Sequence, residues 1–246
     1  MKTGLSEATA EQPAESLIEQ AVGQNADQNE DQAVGQSAGL FCITCSFQAE
    51  DMVVLDLVRR RVPGIAVLFL DTGYHFAETY AYRDRMAAAW KLNLVNLLPE
   101  TTVAAQEQAH GLLYVSDPTR CCQMRKVMPL MKALEKFEVW FTGLRREQSA
   151  TRANLKQIEQ HQLPSGKQIL KLNPLAGWKW PQVLNYTEQN HIEKLALYDE
   201  GYLSIGCEPC TSLPITAGDP RSGRWSGKKL ECGIHTFTRA LPQQDE

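Results

Sequence analysis

The apolar positions of this chain fall into short runs separated by polar turns, and the runs alternate between two periods. Gly39-Leu40-Phe41-Cys42-Ile43-Thr44, Gly64-Ile65-Ala66-Val67-Leu68-Phe69-Leu70 and Val139-Trp140-Phe141-Thr142 are near-continuous apolar stretches of strand length. Residues 91–98 carry Leu92, Leu94, Val95 and Leu97 in a strand-like pattern, and Ile169-Leu170-Lys171-Leu172 opens the last clear strand. Between these runs, residues 52–61, 76–90, 119–136 and 181–190 place apolar side chains at helical spacing, with Pro129 inside the third. Strands alternating with helices predict an α/β fold: a single domain with a mainly parallel sheet flanked by helices, its ligand-binding turns at the carboxyl ends of the strands.

The two ends read differently. Residues 1–38 are rich in Gln, Ala, Glu, Asp, Gly and Ser and contain no aromatic residue. They are expected to be largely disordered, because they cannot bury enough surface to offset chain entropy. A short helix over residues 14–22, with Leu17, Ile18, Ala21 and Val22, is the exception. After Cys210 the chain becomes rich in Pro, Gly and Ser and carries Arg221, Arg224, Lys228 and Lys229 ahead of Cys232. Such a flexible basic tail could fold over an anionic ligand.

Composition narrows the classes. A chain of 246 residues with 43% hydrophobic content supports the core of one α/β domain. A net charge of −4 made from mixed signs gives no basic field for nucleic acid or an anionic membrane surface. No apolar run approaches the roughly 18 residues of a membrane span, and no basic-then-apolar order marks a secretory leader, so a cytoplasmic protein is expected. No repeat is visible, and no feature of the sequence sets an oligomeric state. In a reducing compartment seven cysteines point to metal binding or redox chemistry rather than to structural disulfides.

Three polar turns sit at strand ends. Ser46-Phe47-Gln48-Ala49-Glu50-Asp51 joins the first strand to a helix, where backbone N–H groups and a hydroxyl can cradle a phosphate, although the Gly-rich Walker pattern is missing. The acids Glu50 and Asp51 also suit a plain helix start. Asp71-Thr72-Gly73-Tyr74-His75 follows the second strand, with His75 as readily a helix-start residue as a catalytic one. The fourth strand runs into a loop holding Arg145, Arg146 and Arg152, and guanidinium groups bind oxyanions bidentately. The cysteines divide as well. Cys121-Cys122 and Cys207-Glu208-Pro209-Cys210 supply four thiolates, enough for a zinc ion, an iron–sulfur cluster or a redox disulfide. Zinc needs sulfurs about 3.8 Å apart, from bonds of ~2.3 Å, which is awkward for adjacent side chains; a four-iron cubane spreads its ligands more widely. Cys232, in Lys229-Leu230-Glu231-Cys232-Gly233-Ile234-His235, is left over in polar surroundings, where a nucleophilic thiolate is expected.

Taken together and in this order, Ser-Phe-Gln-Ala-Glu-Asp, Asp-Thr-Gly-Tyr-His, Cys-Cys, Arg-Arg-Glu-Gln-Ser-x-Thr-Arg, Cys-Glu-Pro-Cys and Glu-Cys-Gly-Ile-His resemble the assimilatory adenylyl-sulfate reductases of the PAPS/APS reductase family. The resemblance covers residues 39–235 and implies an adenosine nucleotide α-hydrolase-like fold. It divides the chain into a polar extension (1–38), a nucleotide-binding reductase domain with an iron–sulfur site (39–212) and a mobile tail carrying the catalytic cysteine (213–246). It further implies a [4Fe-4S] cluster on Cys121, Cys122, Cys207 and Cys210, and Cys232 as nucleophile. Substrate contacts are implied at Ser46, Phe47, Gln48, Lys126, Arg145, Arg146, Arg152, Arg221 and Arg224. The implied reaction is reduction of adenylyl sulfate to sulfite and AMP through an S-sulfocysteine. Thioredoxin or a glutaredoxin-like thiol donor supplies the electrons, in sulfate assimilation and cysteine biosynthesis. Cys45 departs from the pattern, standing where related sequences commonly carry Thr or Ser.

The alternatives are a phosphoadenylyl-sulfate reductase or an enzyme of dual specificity, but the four paired cysteines separate this chain from cluster-free relatives. A non-catalytic metal- or cluster-bearing nucleotide sensor leaves Cys232 and its basic tail without a purpose. An adenylating ATP pyrophosphatase requires a Ser-Gly-Gly-x-Asp-Ser loop that the sequence lacks.

Overall fold

The computed structural model describes residues 11–27, 40–216 and 218–235. Six strands form one sheet: β1 (Phe41–Thr44), β2 (Ala66–Leu70), β3 (Asn93–Leu97), β4 (Val139–Phe141), β5 (Ile158–Gln162) and β6 (Gln168–Leu172), in the spatial order β3-β2-β1-β4-β6-β5. All neighbours are parallel except β5, which pairs antiparallel with β6 and caps one edge. The central strands β1 and β4 are buried at every position, as near-continuous apolar runs in a covered parallel sheet should be. The strand order reverses between β1 and β4, so the turns leaving them diverge and open a crevice at their carboxyl ends.

The helices are α1 (Ala14–Asp27), α2 (Ala49–Arg59), α3 (Ala77–Trp90), α4 (Val103–His110), α5 (Leu113–Ser116), α6 (Pro118–Cys122), α7 (Met128–Leu134) and α8 (Trp180–Gln189). A π-helical turn, Gln123–Val127, joins α6 to α7 and adds a residue to the helical path beside Cys122. Pro129 lies in the first turn of α7, where its missing N–H costs little, so the apolar pattern of residues 119–136 continues as helix in three pieces.

The N-terminal expectation needs correction. The helix expected over 14–22 runs on to Asp27, and it is not a free segment: Ala14, Leu17, Ile18 and Ala21 are at most 1% exposed and join the main core. Their spacing of three and four residues makes one helix face, which packs on α2. The side chain of Gln157, just before β5, clamps the chain ahead of α1, accepting from the Gln12 N–H (2.9 Å) and donating to its carbonyl (2.8 Å). Residues 1–10 and 28–38 of the expected extension, with residue 39 after it, lie outside the described residues. Among the described residues, no helix is long and apolar enough to cross a membrane.

Candidate active site

A cavity of about 380 Å³ opens at the crevice between β1 and β4, walled on one side by the turns after these strands and on the other by the tail. Ser46 and Gln48 line it. The Ser46 hydroxyl (2.6 Å) and N–H (2.7 Å) both donate to Asp51 Oδ2, while Gln48 donates to Ser46 Oγ (3.0 Å) and accepts from the Ile205 N–H (2.8 Å). Burial pushes the Asp51 carboxyl up to about 6 against the pull of the Ser46 hydrogen bonds. Gly143, just past β4, lies so close that a Cβ there would come within 2.3 Å of Asp51 Oδ1 and 2.8 Å of its backbone nitrogen. Only glycine lets the loop after β4 rest on the first turn of α2. Phe47 does not face the cavity: at φ 61° its ring turns into the core, edge-on to Phe69 (5.8 Å) and Tyr82 (6.4 Å), and plugs the base of the turn.

The three loop arginines, expected as one anion-binding set, have three different tasks. Arg145 is 4% exposed and braces the wall, donating to Glu50 from Nη2 (2.8 Å) and Nε (3.2 Å) and to Glu147 from Nη1 (2.7 Å). Arg146 points away, donating to the Leu155 carbonyl (2.8 Å) and pairing with Glu11. Arg152 lines the cavity and holds a carboxylate from the tail, Glu231, from Nε (2.9 Å) and Nη2 (2.8 Å).

Cys121 and Cys122 end α6, while Cys207 precedes and Cys210 ends the short turn Glu208–Cys210, which the His75↔Cys207 bridge ties to the residues after β2. All four are buried and line one small cavity with Tyr74, Tyr114 and Trp225. Thr72 Oγ1 lies 3.2 Å from Cys207 Sγ, and Gln106 Nε2 3.9 Å from Cys121 Sγ. Every described cysteine is a free thiol. Burial, then the charge of neighbouring thiols, pushes Cys121 up and Cys210 up to about 11. At Cys121 and Cys210 this favours the neutral thiol unless a cation beside them compensates. Among the described residues no group of three or more His, Cys, Asp or Glu side chains is arranged to hold a metal ion, and the four thiols share one cavity.

Lys126, in the π-helical turn, lines both cavities. Burial works against its charge, but the negative charge that Cys207, Cys122 and Cys232 carry as thiolates outweighs it and holds the ammonium above its usual range. Its neighbour Arg125, which sequence reasoning passed over, is 3% exposed and donates to the Thr72 carbonyl (2.5 Å) and to Gln106 (3.1 Å). It fixes the turn that aims Lys126. The only signal for it in the sequence was a basic residue within an otherwise amphipathic helix.

The tail is docked over this region rather than loose. Ser212 donates to the Gly223 carbonyl (2.9 Å), and Thr211 bridges Arg224. Arg224 is 6% exposed and lies on Gly206, where a Cβ would come within 2.0 Å of Nη2. Trp225 offers its ring to Arg224 (4.5 Å), Lys229 (5.2 Å) and Arg221 (5.7 Å). Burial lowers Arg224, and burial with the charge of Arg152 lowers Arg221 to about 10. Trp225, Ser226 and Gly227 are successive left-handed residues, with φ of 48°, 51° and 75°. Beyond them half-buried Cys232 reaches the cavity wall, Ile234 packs on the core and His235 stacks on Trp140 (5.6 Å, 14°). Residues 236–246 lie outside the described part.

Comparison with known proteins places this arrangement. Residues 41–213 match the model of the phosphoadenosine phosphosulfate reductase domain. The chain is 46% identical over 188 residues to an adenosine 5'-phosphosulfate reductase of Mycolicibacterium smegmatis, covering 76% of this chain and 78% of that one. It is 42% identical over 198 residues to that of Mycobacterium tuberculosis, covering 78% and 77%. In fold it is similar to a phosphoadenylyl-sulfate reductase of Candida auris solved with phosphate, with a TM-score of 0.61 at 24% identity over 78% of this chain and 96% of that one. More distantly it is similar to an FMN adenylyltransferase of Candida glabrata, with a TM-score of 0.53 at 14% identity over 96% of this chain and 81% of that one. A sheet that reverses at its central crevice, a tail cysteine brought to that crevice, and identities of this size over three quarters of the sequence make the chain a member of the phosphoadenosine phosphosulfate reductase domain family.

Proposed function

We propose that the protein reduces adenylyl sulfate to sulfite and AMP in sulfate assimilation leading to cysteine, working in the reducing cytoplasm. The reading is carried by the position of Cys232 on the wall of the crevice cavity that also holds Lys126, Arg221 and Arg224. The Cys232 thiolate attacks the sulfate sulfur; an S–S bond forms, the S–O bond to the nucleotide breaks, and AMP leaves with its electron pair. The enzyme is left as an S-sulfocysteine. A dithiol donor, thioredoxin or a glutaredoxin-like protein, then attacks Cys232 Sγ, sulfite leaves with the bonding pair, and the donor's second thiol restores Cys232. Because an anion attacks an anion, the cations contribute by stabilising charge as the two approach.

Cys121, Cys122, Cys207 and Cys210 line one small cavity and supply the donor chemistry of a [4Fe-4S] cluster. When bound, such a cluster supplies a fixed wall to the site; the two electrons come from the donor's thiols. Ser46 and Gln48 face the nucleotide side, and Arg145 keeps the wall rigid.

Cys232→Ser tests the reading. Sulfite production should fall to background while nucleotide binding and any cluster absorbance remain. Wild-type protein given adenylyl sulfate without a thiol donor should gain one SO₃ unit on the peptide holding Cys232. Near-normal turnover by the variant, or the adduct on another cysteine, would sink it. Faster turnover of the 3′-phosphorylated substrate would reassign the substrate while keeping the chemistry.

A further inference from the structure

The most completely satisfied ion pair at the cavity is made by the tail itself. The Glu231 carboxylate accepts from Arg152 Nε and Nη2 (2.9 and 2.8 Å), Ser149 Oγ (3.0 Å), Thr151 Oγ1 (2.8 Å) and Arg221 Nη2 (3.3 Å). Its side chain is 15% exposed and that of Arg152 11%, so the pair is shielded from water and its bidentate geometry restricts it to one orientation. Ser149, Thr151 and Arg152 belong to a single short stretch between β4 and β5 and present three donors to one point. Arg221 closes the ring and also donates to the Leu230 carbonyl (2.9 Å).

We propose that Glu231 is a latch: seated in the Ser149–Thr151–Arg152 cradle, it positions Cys232 at the cavity, and this cradle serves the tail rather than the substrate. The inference rests on the reading of Cys232 as the reacting thiol. Adjacent Cα atoms are about 3.8 Å apart, so pinning one side chain in five hydrogen bonds confines the backbone of the next residue to a small volume. A latch formed by the immediate neighbour therefore controls the thiol more tightly than the other anchors of this stretch. Among those are Lys228 and Lys229, donating to the carbonyls of Val115 (2.7 Å) and Pro118 (3.3 Å), and His235 on Trp140. The charge also fits: burial opposes ionisation of Glu231, yet Arg152 and Arg221 outweigh it and hold the carboxyl below its usual range. With Arg152 and Arg221 committed to Glu231, Lys126 and Arg224, which also line the cavity, remain for an incoming oxyanion. Nucleotide can then bind with the tail in place.

Glu231→Gln decides the matter, because it keeps shape and loses charge. Misplacing a nucleophile by about 1 Å costs on the order of 100-fold, so kcat should fall by about 10- to 100-fold with KM for adenylyl sulfate little changed. Trypsin should cut after Lys228 and Lys229 faster than in the wild type, and Glu231→Asp should recover part of both properties. Unchanged kcat and unchanged tryptic protection would overturn the latch. A large rise in KM at unchanged kcat would overturn it too, by assigning the cradle to nucleotide binding. Tail cleavage does not depend on turnover, so accelerated cleavage in Glu231→Gln beside a fully active Cys232→Ser would refute the proposed reaction while leaving the latch standing.

Discussion

At the scale of the residue, an arginine's worth here is set by its partner. Arg145 and Glu50 form a buried pair, with side chains 5% and 11% exposed, that ties the loop after β4 to the first turn of α2. Removing one member of such a pair leaves a charge without water or counter-ion. Arg145→Ala should therefore lower stability by on the order of 3–5 kcal/mol, read as a reduced denaturation midpoint at an unchanged denaturant slope. A loss below 1 kcal/mol would show that the brace is not carrying the wall. The sequence displayed Arg145, Arg146 and Arg152 as one basic cluster and could not divide them, because their partners Glu50, Glu11 and Glu231 lie 95, 135 and 79 positions away. Residue type was legible; pairing across the fold was not. Phe47 illustrates the same limit, since a left-handed backbone sends into the core a ring that its motif offered to the substrate.

At the scale of the element, apolar pattern and burial agree where the pattern is dense. β1, β2 and β4 were visible because covered parallel strands are apolar on both faces. β5, Ile-Glu-Gln-His-Gln, escaped notice because an edge strand buries only His161 fully, and α4 because its single buried side chain is Gln106. α1 was seen and undervalued: four apolar residues in a polar stretch looked too few for a core, yet they form one face that α2 covers. Leu17 is fully buried there. Leu17→Ala should cost about 2–5 kcal/mol, as in other large-to-small core changes, and a midpoint matching the wild type would return α1 to the status of an appendage.

At the scale of the whole molecule, the tail and the edge of the sheet meet around Trp140, which stacks on His235 and packs edge-on to His161 (5.6 Å). Burial, reinforced by Lys171 and opposed by Glu159, lowers His161 to about 4. Unfolded, it titrates near 6.5, so between these values the unfolded chain binds a proton that the folded one refuses. Stability must then fall as pH drops from about 6.5 toward 4, with a slope from this group of at most about 1.4 kcal/mol per pH unit. Asp51, raised to about 6, acts in the opposite sense, which makes a difference measurement necessary. His161→Gln should flatten the decline relative to wild type across that window, and parallel curves would show that His161 is not its source.

The root of the tail has a consequence of a different kind. Trp225 and Ser226 are side-chain-bearing residues in the left-handed region, a conformation that costs roughly 1–3 kcal/mol for each. That energy is released when the segment relaxes, so it opposes the Glu231 latch like a wound spring. The docked and undocked tails are thereby brought closer in free energy than the contacts alone imply. In the proposed reaction one sulfur has two appointments, first with a nucleotide inside the crevice and then with a protein too large to enter it. In that scheme a root that favours release would let the same thiol keep both, with spring and latch pulling against each other.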